Sequence, residues 1–429
     1  MKYLSIDNQL FIKNREAFVL NIPNKGIAIF NSNDIMPTNA DGSMPFRQNN
    51  DLFWLSGIDQ EESILILYPS NKKEKMREIL FLKETNEHIA IWEGAKLTKK
   101  EAEEKSGIKT VFWLNQFDEV LNDLLSDAEQ IYLNKNTHAR STSLVETRDD
   151  RFRKKIVADY PSKKIAEAAP IMHKLRAIKS NAEVDLIQNA CNITEKGFRK
   201  ILPIIKPGIM EYEIEAKLIH EFIINRSRGF AYEPIIGSGV NSCVLHYIEN
   251  NKKCFDNDIL LMDFGAEYAN YASDLTRTVP VNGRFSKRQK AVYNSVLHVM
   301  KEATNMLRPG TNFKQYNKEV GKIMENELVA LGLLDKHDIK KQNQEKPLYK
   351  KYFMHGTSHY LGLDVHDVGD FTWDMKEGMV FTCEPGIYIL EEELGIRLEN
   401  DILITSSGPD DLMKNIPIEA DEIESLMNS

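Results

Sequence analysis

The sequence lacks the features that place a protein in a membrane or on nucleic acid. No segment approaches the run of about 18 apolar residues that spans a bilayer. The net charge is −9, from 55 Lys and Arg against 64 Asp and Glu, whereas nucleic-acid-binding proteins carry a basic surface. Residues 1–7 show no apolar core of a signal peptide. We therefore expect a cytoplasmic protein without nucleic-acid or membrane partners.

Cysteine is scarce, and its positions do not suggest a metal site. The four cysteines show no paired spacing, so free thiols in a reducing compartment are the simplest interpretation. The first part of the chain also contains no recognisable nucleophile, phosphate-binding loop or metal-ligand cluster. We therefore expect the chemistry in the second part. The cysteines are Cys191, Cys243, Cys254 and Cys383.

The length of 429 residues and a content of 42% hydrophobic and 28% charged residues are typical of a globular protein with two domains. We expect an α+β protein with an amino-terminal α/β domain over residues 1–165 and a second domain over residues 166–429. Short apolar runs alternate with helix-prone stretches in the first domain, which predicts a mixed sheet covered by helices and a role in assembly. Predicted strands are 26–30, 62–69, 78–82 and 130–133, predicted helices are 98–105 and 117–126, and residues 46–57 are predicted to form an aromatic and polar loop.

Two helix pairs in the second domain suggest an internal repeat. Ser180 with Glu183, and Ser286 with Gln289, have the spacing of capping boxes at helix starts. In both cases a Pro-Gly pair follows the helix, and a second helix and strands come next. Chance remains an alternative, because Pro-Gly is common after helices. The pattern predicts two α+β halves with a site between them, and residues 336–351 are predicted to be loop-like.

Asp263 and Asp274 are the most informative pair in the chain. Asp263 ends an apolar run that starts at Ile259, and residues 268–279 are predicted to be extended. Two such segments form an antiparallel hairpin most simply, which would place the two acids, 11 positions apart, side by side. Carboxylates that meet in apolar surroundings need either a shared proton or a cation.

Further acid and imidazole side chains follow towards the carboxyl end. Three of the ten histidines lie within 13 residues, at positions 355, 359 and 366. Glu384 ends an apolar strand, and period-2 alternation places Arg397 and Glu399 on one face of another strand. Each residue alone has a structural explanation. Together, four carboxylates and an imidazole are a ligand set for two divalent ions, with Mn²⁺, Co²⁺, Fe²⁺ or Zn²⁺ favoured over copper. Such a centre is typical of amide or ester hydrolysis.

These motifs resemble the pita-bread metallopeptidases, the group of methionine aminopeptidase, aminopeptidase P and prolidase. The resemblance is strongest to the aminopeptidase P branch and extends to the amino-terminal domain. The residues that carry it are 261–265, 273–278, 355–359, 384–386 and 397–399, with 46–57 in the amino-terminal domain.

The resemblance implies a metal-dependent exopeptidase that hydrolyses the amino-terminal Xaa-Pro bond of peptides. In this family a hydroxide bridging two divalent metal ions attacks the bond; Mn²⁺ would be preferred, with Co²⁺, Zn²⁺ or Fe²⁺ as alternatives. The amino-terminal domain would gate substrates and form a homodimer or homotetramer. The implied metal ligands are Asp263, Asp274, His359, Glu384 and Glu399.

The resemblance also implies roles beyond the ligands. Glu384 would transfer the proton of the attacking water to the leaving nitrogen. The three histidines would hold the penultimate proline and stabilise the oxyanion, while Tyr388 and Arg397 would orient Asp263 and its neighbours. The three histidines are His246, His355 and His366.

Two alternatives stay open. A prolidase, which cleaves Xaa-Pro dipeptides, would need a cation for the substrate carboxylate, and the sequence does not place one. A non-catalytic peptide-binding protein of the same fold would be expected to lose metal ligands, and all five are present here. The presence of the ligands also argues against creatinase, which shares the fold without the metals.

Overall fold

The computed structural model describes residues 2–343 and 345–429 and divides into two compact units. One unit is Ser5–Leu175, and the other is Arg176–Ser429, which residues 2–4 join. The predicted domain boundary after residue 165 lies close to this division and stays a prediction. Among the described residues, no helix combines the length and the apolar character that crossing a membrane requires.

The unit Ser5–Leu175 is built on a mixed six-stranded sheet, as predicted. The strand order is β4-β3-β2-β1-β5-β6, and β2 runs antiparallel to both of its neighbours while the other pairs are parallel. The helices α5 and α6 cover one apolar layer of this sheet. The elements are α1 Gln9–Val19, β1 Gly26–Asn31, α2 Asn50–Ser56, β2 Ile64–Leu67, β3 Glu78–Leu82, α3 Glu87–Glu93, α4 Lys99–Ser106, β4 Thr110–Trp113, α5 Phe117–Asp127, β5 Gln130–Leu133, α6 Arg148–Asp159 and β6 Lys164–Glu167, and the division between the units falls within α7 Ala169–Ala177.

The prediction of a loop over residues 46–57 was wrong in part. The helix α2 occupies most of this segment, and the Asn49 side chain caps it by accepting hydrogen bonds from the amides of Asp51 and Leu52 at 3.0 and 3.2 Å. Gly57, with φ of 67°, ends the helix. Two of the three aromatic residues in this segment, Phe53 and Trp54, are buried in the core of the unit, whereas Phe46 is half-buried. The strands β4 and β6 were not predicted.

The unit Arg176–Ser429 contains two helix pairs, and a three-stranded antiparallel sheet follows each pair. The sheets have the orders β11-β8-β7 and β12-β15-β16. The elements are α8 Asn181–Ile201, α9 Glu211–Ile224, β7 Ile235–Ser238, β8 Ile259–Phe264, β9 Glu267–Tyr268, β10 Tyr271–Ala272, β11 Leu275–Pro280, α10 Lys287–Met306, α11 Phe313–Ala330, α12 Lys336–Lys341, β12 Val380–Cys383, β13 Gly386–Ile389, β14 Leu394–Arg397, β15 Asn400–Thr405, β16 Gly408–Asp411 and α13 Ala420–Met427.

Matched backbone contacts confirm the internal repeat. After α8, the Gly208 amide donates to the Cys254 carbonyl at 2.8 Å, and after α10, the Gly310 amide donates to the Met375 carbonyl at 2.8 Å. Both glycines are left-handed, with φ of 100° and 87°. An isolated antiparallel bridge follows each contact, between Met210 and Lys253 in the first half, and between Asn312 and Asp374 in the second. Both predicted capping boxes are present as well.

Two predicted segments are less regular than expected. Residues 268–279 are not continuously extended, because the short hairpin of β9 and β10 interrupts them before β11. Residues 336–351 contain α12 and a 3₁₀ turn at Leu348–Lys351, so the loop prediction was wrong there; Gln344 lies outside the described residues.

Candidate metal centre

The central sheet of the first half brings Asp263 and Asp274 together. Asp263 lies on β8 opposite Thr276 of β11, and Asp274 immediately precedes β11. A side chain at Gly265 would meet the Ser273 carbonyl oxygen at 1.7 Å, so only glycine allows the chain to return this closely. The Tyr232 hydroxyl lies 2.6 Å from Asp263 Oδ1 and 2.5 Å from Asp274 Oδ1.

A bridge between the two halves places Glu399 beside this pair. Thr276 forms an isolated antiparallel bridge with Glu399, whose amide donates to the Thr276 carbonyl at 3.1 Å. The Thr276 hydroxyl donates to Glu399 Oε2 at 2.7 Å and accepts from Arg397 Nε at 3.1 Å. Ile396 and Leu398, which alternate with these residues, are fully buried, as the period-2 pattern predicts.

The strand β12 brings His359 and Glu384 to the same place. Residues 357–359 run alongside β12. The Thr382 amide donates to the His359 carbonyl at 3.0 Å, and the Glu384 amide donates to the Thr357 carbonyl at 2.8 Å. His359 Nε2 then lies 3.4 Å from Asp274 Oδ2 and 3.7 Å from Glu384 Oε1. All five predicted ligand positions therefore converge in one unit.

The acids of this cluster are held in an environment that opposes their charge. Asp274, His359 and Glu399 are 5%, 4% and 1% exposed, and one potential ligand atom from each lies within 4.8 Å of the others. Burial and then the charge of Asp263 raise the pKa of Asp274 well above its usual value. Burial and then the charge of Asp274 raise the pKa of Glu399, and burial raises the pKa of Glu384 to about 7. A cation would relieve this repulsion.

The donor atoms fit a divalent metal. Glu399 Oε1 is buried and has no hydrogen-bond partner among residues 2–343 and 345–429, so a strong acceptor is left for another ligand. His359 Nδ1 lies 3.0 Å from the Tyr360 carbonyl, which can only accept, so Nδ1 carries the proton. In a neutral ring, the Nε2 lone pair then faces the acids, which is the usual arrangement of a metal-ligating histidine.

Arg397 connects the acids to a chain of hydrogen bonds. Its guanidinium donates to Asp263 Oδ2 at 2.5 Å and to the Tyr388 hydroxyl at 2.9 Å. His355 donates Nδ1–H to the Gly356 carbonyl at 2.8 Å, which leaves Nε2 to accept from Tyr388 at 2.8 Å. Burial, and then the Arg397 charge, lowers the pKa of His355 to about 3, so this imidazole is neutral.

The two remaining histidines lie around the cluster. The ring of His366 packs edge-on against that of His359, with centroids 4.5 Å apart. His246 is exposed, on the segment between β7 and β8, and lies within electrostatic range of His355. The structure thus brings His366 against a ligand position and leaves His246 at the solvent.

Sequence reasoning missed three residues that contact the predicted ligands. Tyr232 lies between the two aspartates, and Thr276 lies between Glu399 and Arg397. Asp401 accepts from the Asp274 amide at 3.0 Å and from Cys191 Sγ at 3.4 Å. Thr276 lies within the motif 273–278 and Asp401 lies two residues after the motif 397–399, so their positions in the sequence were available as a signal. Tyr232 lies far from them in sequence, and no local pattern identifies it.

Two facing α+β halves with buried carboxylates and a histidine at their junction define a pita-bread metallopeptidase. The model of metallopeptidase family M24 matches residues 185–406, and the model of the aminopeptidase P amino-terminal domain matches residues 11–132. The chain belongs to metallopeptidase family M24.

Similar proteins cover almost the whole chain. It is 34% identical to an Xaa-Pro aminopeptidase of Escherichia coli, over 98% of each chain, and 35% identical to an Xaa-Pro aminopeptidase of Haemophilus influenzae, over 95% of this chain and 94% of that one. The structure of zinc-substituted aminopeptidase P of Escherichia coli in complex with product superposes with a TM-score of 0.88, at 32% identity and 99% coverage of both chains.

Proposed function

We propose that this chain is an Xaa-Pro aminopeptidase that removes the first residue from peptides with proline in the second position. The observation that carries the proposal is the buried convergence of Asp274, His359 and Glu399, with Glu399 Oε1 left for a ligand. The Xaa-Pro aminopeptidases that align over nearly the full chain supply the substrate class. The location in the cytoplasm and the homodimeric or homotetrameric state stay predictions.

The cofactor proposed is a pair of divalent metal ions, with Mn²⁺ preferred and Co²⁺, Zn²⁺ or Fe²⁺ as alternatives. Carboxylate oxygens and one imidazole suit these ions. When bound, the ions would lower the pKa of water and polarise the carbonyl of the peptide bond. The residues proposed to hold them are Asp263, Asp274, His359, Glu384 and Glu399.

Glu384 is the carboxylate best placed to move a proton. Its side chain is 20% exposed, whereas the side chain of Asp274 is 7% exposed, so Glu384 is the more accessible to water and substrate. We propose that Glu384 accepts a proton from the attacking water and donates it to the leaving proline nitrogen. That nitrogen needs the proton because breaking the C–N bond leaves the bonding electron pair on nitrogen, and an unprotonated amide nitrogen is a poor leaving group.

The histidines divide into two groups by their contacts. Both ring nitrogens of His355 have partners within the protein, which supports a role in orienting Tyr388 and Arg397. His246 and His366 are the histidines we propose to contact the proline ring and the oxyanion. Arg397 holds Asp263 in a fixed orientation for its ligand role.

A comparison of three peptides tests the proposed specificity. With added Mn²⁺, an Xaa-Pro-Yaa-Yaa peptide should lose its first residue, and the matched Xaa-Ala-Yaa-Yaa peptide should be cleaved far more slowly. Cleavage of the Xaa-Pro dipeptide alone would show a prolidase instead. Absence of cleavage of all three peptides by metal-loaded protein would contradict the proposal and favour a peptide-binding protein.

A further inference from the structure

We infer that Glu211 and Tyr247 form a positioning pair for His246, an inference that rests on the proposed function. The segment 238–252 carries His246 between β7 and β8. Glu211 and Tyr247 fix the position of this segment through buried contacts. Among the described residues, the hydrogen bonds of the Glu211 carboxylate go to Ser238, Tyr247 and Lys252 rather than to a metal-ligand position. The effect of the pair on catalysis would therefore pass through His246.

Glu211 holds both ends and the middle of the segment. It is the first residue of α9 and is 0% exposed. Its Oε1 accepts from the amide and the hydroxyl of Ser238, each at 2.9 Å. Its Oε2 accepts from the Tyr247 hydroxyl and the Lys252 amide, each at 2.8 Å. One buried carboxylate with four donors thus determines the path of the segment.

Tyr247 transfers this restraint to the neighbouring His246. Its ring is 7% exposed and packs in a cluster with Ile235, Leu261 and Tyr388. Leu261 lies on β8, the strand of Asp263, and the Tyr388 hydroxyl pairs with His355. Because the next residue is clamped at both its ring and its hydroxyl, the backbone of His246 has a fixed position although its side chain is exposed.

The hydroxyl of Tyr247 stays protonated and can therefore donate to Glu211. Burial, and then the hydrogen bond with Glu211, raises the pKa of Tyr247 to about 12. The phenol therefore stays protonated throughout the range in which a peptidase would be assayed.

The internal repeat shows that the fold does not require a carboxylate at this position. Glu211 follows the bridge residue Met210, and Phe313 follows the equivalent bridge residue Asn312. Phe313 is also the first residue of its helix, and its ring packs against Phe371 with centroids 4.6 Å apart. The second half thus fills the equivalent place with an apolar ring, which avoids burying a charge. The carboxylate of Glu211 serves the particular segment that bears His246.

A double-mutant cycle tests whether the pair acts through His246. We expect Tyr247→Phe to lower kcat/KM for an Xaa-Pro-Yaa-Yaa peptide roughly tenfold, since small misplacements of a substrate-contacting group have effects of this order. In the His246→Ala background, Tyr247→Phe should change kcat/KM less than about twofold. Glu211→Gln should lower kcat/KM in the same way. The side-chain nitrogen of Gln is itself a donor, so it could not accept the hydrogen bonds that the backbone N–H groups donate to the carboxylate. Metal content should not change in any of these variants.

Tyr293→Phe is the matched control. The Tyr293 hydroxyl is also buried and donates to the Ile418 carbonyl at 2.7 Å, away from the segment. This variant should lose a comparable hydrogen bond without a change in kcat/KM. Equal losses from Tyr247→Phe in the wild-type and His246→Ala backgrounds would overturn the inference, as would the absence of any loss in the wild-type background.

A second measurement does not depend on activity, so it separates this inference from the proposed function. The ring resonance of His246, assigned by its disappearance in His246→Ala, should shift in Tyr247→Phe and remain in place in Tyr293→Phe. An unchanged resonance in Tyr247→Phe would overturn the inference even if the wild-type protein cleaves Xaa-Pro peptides. A shifted resonance in a protein that cleaves none of the peptides would support the positioning contact and contradict the proposed function.

Discussion

Two groups of buried acids in the unit Arg176–Ser429 differ in how their charge is balanced. Asp367 is 5% exposed, accepts from Arg176 at 2.5 Å and from Lys179 at 3.0 Å, and has its pKa held below the usual value by these two cations although burial acts to raise it. Asp274 and Glu399 are equally buried, but their pKa values are raised. The protein supplies two cations to Asp367, whereas for Asp274 and Glu399 we propose that metal ions from solution supply the positive charge.

The largest expected effect concerns the carboxylates of the proposed metal centre. Asp274→Asn should lower kcat/KM for an Xaa-Pro-Yaa peptide by about 10³-fold or more, because a metal stabilises the transition state by several kcal/mol. Metal content and activity, measured on the same preparation, check the prediction. Full activity and full metal content in the variant would remove Asp274 from the ligand set.

At Asp367, which is paired with Arg176 and Lys179, we expect a loss of folding stability instead. Asp367→Asn should destabilise the folded protein by about 3–5 kcal/mol, because Arg176 and Lys179 would stay buried while losing the charge of Asp367. Asp364→Asn is the control: Asp364 lies 3.9 Å from Arg176, but its side chain is 56% exposed, so the loss should stay below about 1 kcal/mol. Denaturant unfolding measures both, and similar losses would contradict the distinction.

The pH dependence of stability should also separate the two groups. In metal-free protein, Glu384 has a folded pKa of about 7 against an ordinary 4.5, so the folded state binds more protons between these values. Stability should therefore fall as the pH rises from about 4.5 to 7, by roughly 2 kcal/mol, and continue to fall as Asp274 and Glu399 ionise. Asp367 acts in the other direction: its contribution is present above its ordinary pKa and is lost as the pH falls through its lowered folded pKa.

Unfolding curves at several pH values, with and without saturating Mn²⁺, check this dependence. Bound metal should flatten the slope above pH 4.5, because the ions neutralise the carboxylates in the folded state. An identical slope with and without the metal would mean that the raised pKa values do not belong to a metal centre.

The smallest expected effect tests the orientation of a single ligand. Thr276→Val should weaken metal affinity about tenfold, because Glu399 loses its hydroxyl donor and Arg397 loses an acceptor. Thr276→Ser keeps the hydroxyl and should retain most of the affinity. Metal titration followed by calorimetry measures both variants, and equal affinities would show that this hydroxyl does not orient Glu399.

The sequence was sufficient to predict the elements whose pattern is local. Capping boxes at Ser180 and Ser286, the apolar run into Asp263 and the alternation at Arg397 and Glu399 all predicted what the structure shows. Each depends on spacing within a few residues, which propensity and periodicity describe. The predicted hairpin placed Asp263 beside Asp274, and the residue types suggested a ligand set for two ions; the assignment of the five individual ligands followed from the family resemblance.

Contacts across long stretches of sequence could not be predicted in this way. Tyr232 reaches the aspartates only because the chain folds back on β8. Likewise, Glu211 contacts Tyr247 and Lys252 through tertiary packing that no local pattern records. In these cases, tertiary burial decided the conformation over local preference.

Titration of metal into metal-stripped protein tests the central claim most directly. Addition of Mn²⁺ should load two ions per chain and restore cleavage of an Xaa-Pro-Yaa peptide in proportion, while the Asp274→Asn variant should show neither. Cleavage by protein that holds no divalent ion, or a fully loaded protein that leaves Xaa-Pro peptides intact, would contradict the account.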